Sequence, residues 1–202
     1  PCGGYKYRPN QCSSAYGLAQ LDCYKEQFSE IDQAMTYFCD LIDELPGIKS
    51  HRPPREEGYS KGGWYFPLAH YAPVEFGGLS NVRFAEAVNA EGVFCGSGCN
   101  RPLHSHPVFH DMDIYHQGKP TRVANLPDGL TVEQIQKPLK VANEINNRIM
   151  GLPAFKKYNK DYIEQCAGAF KKVVAHHGDL MKGIEAVVEK GGYSASKMVA
   201  KS

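Results

Sequence analysis

Residues 4–21 read GYKYRPNQCSSAYGLAQL, a short basic loop that runs into the start of a helical stretch. Lys6 and Arg8 stand two residues apart in this loop, after a pair of glycines. Two cations on a loop that leads into a helix can hold a phosphate group through charge-assisted hydrogen bonds. A solvated basic turn is the more common meaning of such a pair. On physical grounds alone, both interpretations stay open.

Downstream of this loop, apolar residues recur every three or four positions from Ser13 to Leu45, with charged residues between them. This spacing predicts one amphipathic helix, which Pro46 and Gly47 end. At 1.5 Å per residue the helix would be roughly 45–50 Å long. A helix of this length exceeds a small domain, so we expect it to bridge two bodies of structure.

The next segment is dense in aromatic residues, which predicts a strand over Trp64–Tyr71. Pro67 places that strand at a sheet edge or at a bulge. Ser80 is a suitable N-cap for a helix that ends at Gly92. We expect this helix to bury Val82, Phe84, Ala85 and Val88. Residues Val93–Cys95 would then return as a short strand beside the first, and the order predicts a small α/β layer.

The carboxy-terminal third begins with an irregular stretch, Gly96–Leu130, that is rich in Gly, Pro, His and Asp. Loops of this length are usually functional or mobile. Pro138 suits the first residue of a helix through Ile149. Asn159 can cap another helix that ends at His176-His177-Gly178, and a last amphipathic segment covers 180–188.

The composition is that of a globular protein. The chain has 202 residues, 42% of them hydrophobic, and 23 basic against 22 acidic side chains, for a net charge of +1. Neither nucleic acid nor a membrane is therefore an expected partner. Seven scattered cysteines favour free thiols in a reducing compartment, so we expect a cytoplasmic protein. Because the chain starts without Met, on a Gly-rich turn, we expect further sequence upstream.

Two other motifs point to different chemistry. Cys95, Cys99, His104 and His106 could supply zinc ligands, but their spacing matches no standard finger and Cys95 falls on a predicted buried strand. We therefore predict no metal and keep a zinc-binding interaction domain as an alternative. Tyr193 and Lys197 match the Tyr-x-x-x-Lys pair of short-chain dehydrogenases. No Gly-rich turn precedes that pair, so we interpret it as a coincidence.

Residues 4–8 and 15–21 resemble the G-Y-N-Y-R and A-A-(I/L)-G-L-A-Q-L segments of the DegT/DnrJ/EryC1/StrS sugar aminotransferases, which are pyridoxal-phosphate (PLP) enzymes of fold type I. Further segments resemble the family in the same order. They are GGLS (77–80) with FAEA (84–87) and AEGV (90–93), RPLH (101–104) with Pro107 and Phe109, and GLPAF (151–155). The resemblance covers about residues 4–177.

The resemblance implies an α/β chain that forms the carboxy-terminal part of such an enzyme. Its parts would be the end of the cofactor domain and the connecting helix (1–46), the small domain (47–178), and an extra helix with a frayed tail (179–202). The small domain would have a short, mainly antiparallel sheet covered by helices. In the family, the lysine that binds PLP and the acidic residue under its ring lie upstream, so we expect no catalytic residue in this chain.

The same resemblance implies a function and its site residues. An assembled enzyme would move an amino group from glutamate or glutamine to a keto-sugar nucleotide or a keto-cyclitol, with the lysine supplied by an amino-terminal half. Lys6, which replaces the family's commoner Asn, and Arg8 would contact the phosphate of PLP across a dimer interface. His104 would line the substrate pocket.

Trp64 and Tyr65 are further candidates for the substrate pocket, because aromatic residues often line clefts. For Trp64, an ordinary core position is at least as good an interpretation. An alternative to the enzyme is a non-catalytic sugar-binding or regulatory module that descends from the same family.

Overall fold

The computed structural model describes residues 10–54, 61–127, 129, 131, 134 and 139–182. They form an α/β fold with the elements in the following order. The helices are α1 (Gln11–Asp43), α2 (Asn81–Ala90), α3 (Pro107–His110), α4 (Lys140–Glu144), α5 (Lys160–Ala175) and α6 (His177–Leu180), and the strands are β1 (Ile48–Ser50), β2 (Leu68–Tyr71), β3 (Gly96–Ser97) and β4 (Ile149–Gly151). Short 3₁₀ turns cover Pro73–Phe76, Leu103–Ser105, Thr121–Val123 and Ile145–Arg148.

The three longest helices begin at side-chain caps. Asn10 accepts a hydrogen bond from the backbone N–H of Ser13 at 2.7 Å, and Ser80 accepts one from Arg83 at 3.3 Å. Asn159 does the same for Tyr162 at 3.1 Å. Each cap satisfies a backbone donor that the first turn of its helix leaves free. The predicted N-caps at Ser80 and Asn159 are therefore confirmed.

The sheet is antiparallel throughout, in the order β1-β2-β4-β3. Its register pairs Ser50 with Ala69 and Ala69 with Met150, so these residues share one face. That face packs on α1 and α2, and α5 packs on these two helices, so the three helices form the other layer of the fold. The predicted short antiparallel sheet with helices over it is confirmed.

The core lies between the sheet and the helices and is rich in aromatic rings. The Phe38 ring lies 5.1 Å from that of Phe155 and 5.8 Å from that of Phe170, between centroids. Tyr71 stacks on Phe76 at 5.1 Å. All five rings are at most 5% exposed. Because Phe38 lies on α1, Tyr71 on β2 and Phe170 on α5, these contacts hold the layers together.

Helix α1 has 33 residues, close to the predicted span, and only its second half reaches this core. Its buried residues are Ala34, Met35, Phe38, Cys39 and Ile42. Residues 11–27 are exposed, apart from the half-buried Cys23. About 25 Å of helix, at 1.5 Å per residue, therefore extends past the described packing.

The predicted strand at Trp64–Tyr71 is correct only for Leu68–Tyr71. Trp64 and Phe66 have φ angles of 52° and 51°, which no strand tolerates. Strand β2 lies between β1 and β4, so the edge position expected from Pro67 is wrong. The proline is accommodated because it precedes the strand, and its carbonyl accepts from Leu152 N–H at 2.9 Å.

Three other expectations are corrected. The strand expected at Val93–Cys95 is instead Gly96–Ser97, and it pairs with β4 rather than with β2. The helix expected up to Ile149 ends at Glu144, continues as a 3₁₀ turn to Arg148, and gives way to β4. Val82 is 48% exposed, whereas Phe84, Ala85 and Val88 are buried as expected.

Pro138, Tyr193, Lys197 and most of the helix predicted at 180–188 lie outside the described residues. In the part of the chain that is described, no helix combines the length and the apolar character needed to cross a bilayer.

Candidate functional site

The loop that carries His104 is held in place by two asparagines. The Asn146 side-chain oxygen accepts from the backbone N–H of Cys99 at 3.0 Å and from its thiol at 3.1 Å. Asn81, which is 2% exposed, donates to the carbonyls of Asn146 and Ile149 at 2.7 and 2.8 Å. Because both amides are satisfied, the loop is tied to α2 and β4. Sequence analysis missed these two residues, because nothing in their local patterns distinguishes them.

An open cavity of about 610 Å³ lies between this loop and α4. His104 and Asn100 provide its polar groups, and the apolar lining consists of Pro102, Leu103, Leu139, Ala142 and Ile145. A mostly apolar cavity with a few polar groups is typical of small-molecule sites. His104 is half-buried on the 3₁₀ turn Leu103–Ser105. The residues that line this cavity include neither Trp64 nor Tyr65.

Trp64 is a core residue with one polar contact. It is 5% exposed, and its indole N–H donates to the Asp32 carboxylate at 2.7 Å. The Lys61 ammonium lies 5.3 Å from the centre of the indole ring, on its face. These contacts fix the side chain to α1, and little of its surface is left for a ligand. Its predicted role in the substrate pocket remains a prediction.

Tyr65 is 95% exposed and Phe66 is 55% exposed. They follow the anchored Trp64 in a turn. Trp64 and Phe66 both have left-handed backbone conformations in this turn, although neither is glycine. Such conformations cost about 1–3 kcal/mol each and persist only where surrounding contacts impose them. The Trp64 anchor supplies those contacts, so the turn presents the ring of Tyr65 to solvent. Its predicted role in substrate binding remains a prediction.

A second groove, of about 360 Å³, runs along α1 on the side of Tyr158. In this region the Tyr37 hydroxyl donates to Glu164 at 2.5 Å, and this bond raises the pKa of Tyr37 to about 12. Asp32 and Asp40 give the groove an acidic lining. Arg52 lies 2.8 Å from Asp40 and 2.8 Å from Asp43, so part of this charge is already balanced.

Lys6 and Arg8, the predicted phosphate contacts, lie outside the described residues. Neither cavity has a lysine among its lining residues. The predicted contact of Lys6 and Arg8 with the phosphate of PLP, the cofactor that the resemblance implies, therefore remains a prediction.

The zinc alternative gains no support from the geometry. Cys95 is 3% exposed, and burial raises the pKa of its thiol to about 12. Among the described residues, no three His, Cys, Asp or Glu side chains are grouped so that they could hold a metal ion.

Solved structures with a similar fold include aminotransferases and a dehydratase. An aminotransferase from Psychrobacter cryohalolentis superposes with a TM-score of 0.64 at 18% identity, covering 87% of this chain and 41% of that chain. PseC of Helicobacter pylori, an aminotransferase involved in the biosynthesis of pseudoaminic acid, gives 0.59 at 16% identity, with 85% and 39% covered.

GDP-4-keto-6-deoxymannose-3-dehydratase with a trapped PLP-glutamate geminal diamine gives 0.51 at 16% identity, with 83% and 37% covered. The chain thus spans about two fifths of the length of each of these neighbours. At these identities the likeness shows the fold alone. A comparison with curated protein sequences gives no significant match.

The family model of the DegT/DnrJ/EryC1/StrS aminotransferases matches residues 2–171, which is most of the chain. This match includes the basic loop, the long helix, the sheet and most of α5. The chain therefore belongs to the DegT/DnrJ/EryC1/StrS aminotransferase family.

Proposed function

We propose that this chain is the carboxy-terminal part of a PLP-dependent aminotransferase. It would complete a site whose PLP-binding lysine is supplied by an amino-terminal part. The observation that carries this proposal is the family match over residues 2–171 in a chain that spans only about two fifths of its structural neighbours. We place the assembled enzyme in the cytoplasm, because the six cysteines described in the structure are all free thiols.

The first half of α1 supports an assembly of two parts. The stripe that the core covers at Phe38 and Ile42 continues toward the amino terminus at Leu21 and Tyr24, in the 3.6-residue period of the helix. Leu21 is 68% exposed and Tyr24 is 52% exposed. Large apolar side chains in line with a core stripe favour a further packed body. The amino-terminal part of the enzyme is the body that we propose to cover them.

We propose a keto-sugar nucleotide or keto-cyclitol as the acceptor and glutamate or glutamine as the donor. The structural neighbours include an aminotransferase of pseudoaminic acid biosynthesis and an enzyme trapped with PLP and glutamate, which support these classes. His104 and the apolar cavity beside it would contact the acceptor. PLP, when bound, would supply the electron sink for amino transfer. The residues of this chain would contribute binding and orientation, with Lys6 and Arg8 on the phosphate.

The test is to co-express the chain with the upstream half and to measure PLP in the purified assembly by its visible absorbance and by release in base. We expect one PLP per assembled unit, and none with the chain alone. Changing both Lys6 and Arg8 to Ala should weaken PLP retention, since a charged hydrogen bond contributes about 1.5–3 kcal/mol.

Lys25→Ala is the matched control, because it removes a lysine from the exposed part of α1 and should leave retention unchanged. A folded assembly that takes up no PLP would refute the proposal. That outcome would favour the non-catalytic sugar-binding or regulatory module instead.

Assembled units would pair as dimers, as the phosphate contacts in trans require. The partner in that dimer is a second copy of the same assembly.

A further inference from the structure

The cavity beside His104 is lined from two segments that are far apart in the chain. The lining residues of the first segment are Asn100, Pro102, Leu103 and His104, and those of the second are Leu139, Ala142 and Ile145. Asn146 directly follows the second segment, in the 3₁₀ turn Ile145–Arg148. The side chain of Asn146 reaches the chain at the start of the first segment, so it joins the two sides of the cavity.

The amide of Asn146 bonds to two consecutive residues of the loop. Cys99 presents two donors to the Asn146 oxygen, its backbone N–H at 3.0 Å and its thiol at 3.1 Å. Asn100 presents an acceptor, its backbone carbonyl, 3.4 Å from the Asn146 nitrogen. An amide both accepts and donates, whereas a carboxylate only accepts and an alkyl group does neither. Among these three kinds of side chain, only an amide therefore satisfies both residues of the loop.

The turn that carries Asn146 is itself fixed in place. The buried amide of Asn81 donates to the carbonyl of Asn146 at 2.7 Å, which ties the turn to α2. Gly98 packs on the same carbonyl, because a Cβ added at Gly98 would lie 3.2 Å from it. The φ angle of Gly98 is 71°, in the left-handed region that favours glycine. The loop and the turn therefore meet in a close contact between fixed groups.

We propose that Asn146 is a positioning residue for the acceptor substrate, because its amide sets the separation between His104 and the opposite side of the cavity. The proposal rests on the function proposed above, in which this cavity contacts the acceptor. Asn146 is not among the described residues that line the cavity, so it acts through the loop. A misplacement of about 1 Å can cost a factor of about 100 in rate, so a loosened loop should weaken acceptor binding measurably.

The amino donor should not depend on Asn146. Glutamate carries two carboxylates, which need cationic or hydrogen-bonding partners. The described residues that line the cavity include neither lysine nor arginine, and most of them are apolar. We therefore expect the donor to bind through other groups of the assembled enzyme, and the loss of Asn146 to act on the acceptor alone.

Hydrogen exchange in the full chain, without PLP, measures the hold of Asn146 on the loop. Asn146→Ala removes the acceptor of the Cys99 N–H and should speed exchange at that amide at least about tenfold. Asn146→Asp keeps the acceptor, so it should retain most of the protection. Exchange at Cys99 that is equal in Asn146→Ala and in the native chain would overturn the proposal. An Asp variant that exchanges as fast as the Ala variant would also overturn it.

Asn89→Ala is the matched control. The Asn89 side chain forms a bridge of the same kind, since it donates to the carbonyls of Ala85 and Cys95 at 2.7 Å each and accepts from the N–H of Cys95 at 3.1 Å. It is not among the described residues that line the cavity. The control should speed exchange at Cys95 and leave exchange at Cys99 unchanged. Equally fast exchange at Cys99 in both Ala variants would show that the hold is not specific to Asn146.

Kinetics of the assembled enzyme separate a positioning role from a loss of stability. The donor is glutamate, and the acceptor probes are 2-keto-myo-inositol, a keto-cyclitol, and dTDP-4-keto-6-deoxyglucose, a keto-sugar nucleotide. Because donor and acceptor react in separate half-reactions, kcat/KM for each reports on its own binding and chemistry. Asn146→Ala should lower kcat/KM for the acceptor at least about tenfold and leave that for glutamate within about twofold. Asn89→Ala should change neither value.

The outcomes separate this proposal from the proposed function. An assembly that takes up no PLP, or that converts neither probe, contradicts the proposed function, and the acceptor role of Asn146 falls with it. An active assembly in which Asn146→Ala lowers kcat/KM equally for acceptor and donor refutes the positioning role alone. Equal losses for the acceptor in Asn146→Ala and Asn89→Ala would also refute it alone.

Discussion

Replacing Asp32 by Ala should destabilise the turn that presents Tyr65. In the native chain the Trp64 N–H donates to Asp32 at 2.7 Å, and the indole is 5% exposed. A hydrogen bond to a charged group contributes about 1.5–3 kcal/mol, and leaving a buried donor without a partner adds to the loss. Because Asp32 is half-buried, we expect the lower end, a loss of about 1.5–2 kcal/mol in the free energy of unfolding. Asp32→Asn keeps an acceptor and should lose less than about 1 kcal/mol.

The protein is suited to this measurement because it contains one tryptophan. Trp64 fluorescence therefore reports on the turn alone, and circular dichroism during urea unfolding reports on the whole fold. In Asp32→Ala the native emission should move to longer wavelength and acrylamide quenching should increase. Release of the anchor also removes the contact that imposes the left-handed conformations at Trp64 and Phe66.

Asp22→Ala is the matched control. It makes the same substitution on the exposed part of the same helix, so the gain in helix propensity is equal. Its free energy of unfolding should stay within about 0.5 kcal/mol of the native value. If the two variants lose equal stability, or if Trp64 emission is unchanged in Asp32→Ala, the anchor does not hold the turn.

Two further predictions concern the core. Gly47→Ala should lower the free energy of unfolding by at least about 2–3 kcal/mol, and Gly62→Ala should lower it by about 1 kcal/mol, as measured by urea unfolding. Both glycines have a left-handed backbone conformation, but only at Gly47 would an added Cβ meet the ring of Phe76. That added Cβ would lie 2.5 Å from the Cε2 of Phe76, and equal losses would contradict this account. Burial raises the pKa of Cys39 to about 11 and that of Cys95 to about 12, from 9.0. As the pH rises, the thiols therefore ionise first in the unfolded chain, so the free energy of unfolding should fall above pH 9, by up to about 1.4 kcal/mol per thiol and pH unit. Cys39→Ala should make this decrease with pH less steep between pH 9 and 11. An unchanged decrease would contradict the prediction.

The helices were predictable from the sequence because their determinants are local. An N-cap side chain bonds to a backbone N–H three residues later, and the apolar residues of a helix recur every three or four positions. Both patterns can therefore be recognised within the sequence of a single helix. Ser80 and Asn159 were identified as caps on this basis, and the predicted span of α1 differs from the observed one by two residues at each end. The family resemblance also rested on contiguous segments, and the family match confirms it.

The turn at Trp64 and Tyr65 was not predictable in this way. Dense aromatic residues favour a strand locally, but Trp64 is held by Asp32, 32 positions earlier in the chain. That hydrogen bond turns the indole into the core and leaves Tyr65 exposed. Similarly, Pro67 indicates an edge strand only if the proline lies inside the strand. It lies just before β2 instead, because the pairing of β2 with β4 begins at Leu68.

The sequence by itself determined the family, the long helix and the absence of charge along its first three turns, because each of these is a property of neighbouring residues. Only the tertiary structure decided the order of the strands and the position of the His104 loop. Asn81 reaches the carbonyl of Asn146 across 65 positions, and that contact ties the loop to the sheet. A hydrogen bond between residues so far apart depends on how the whole chain packs, and no local pattern encodes it.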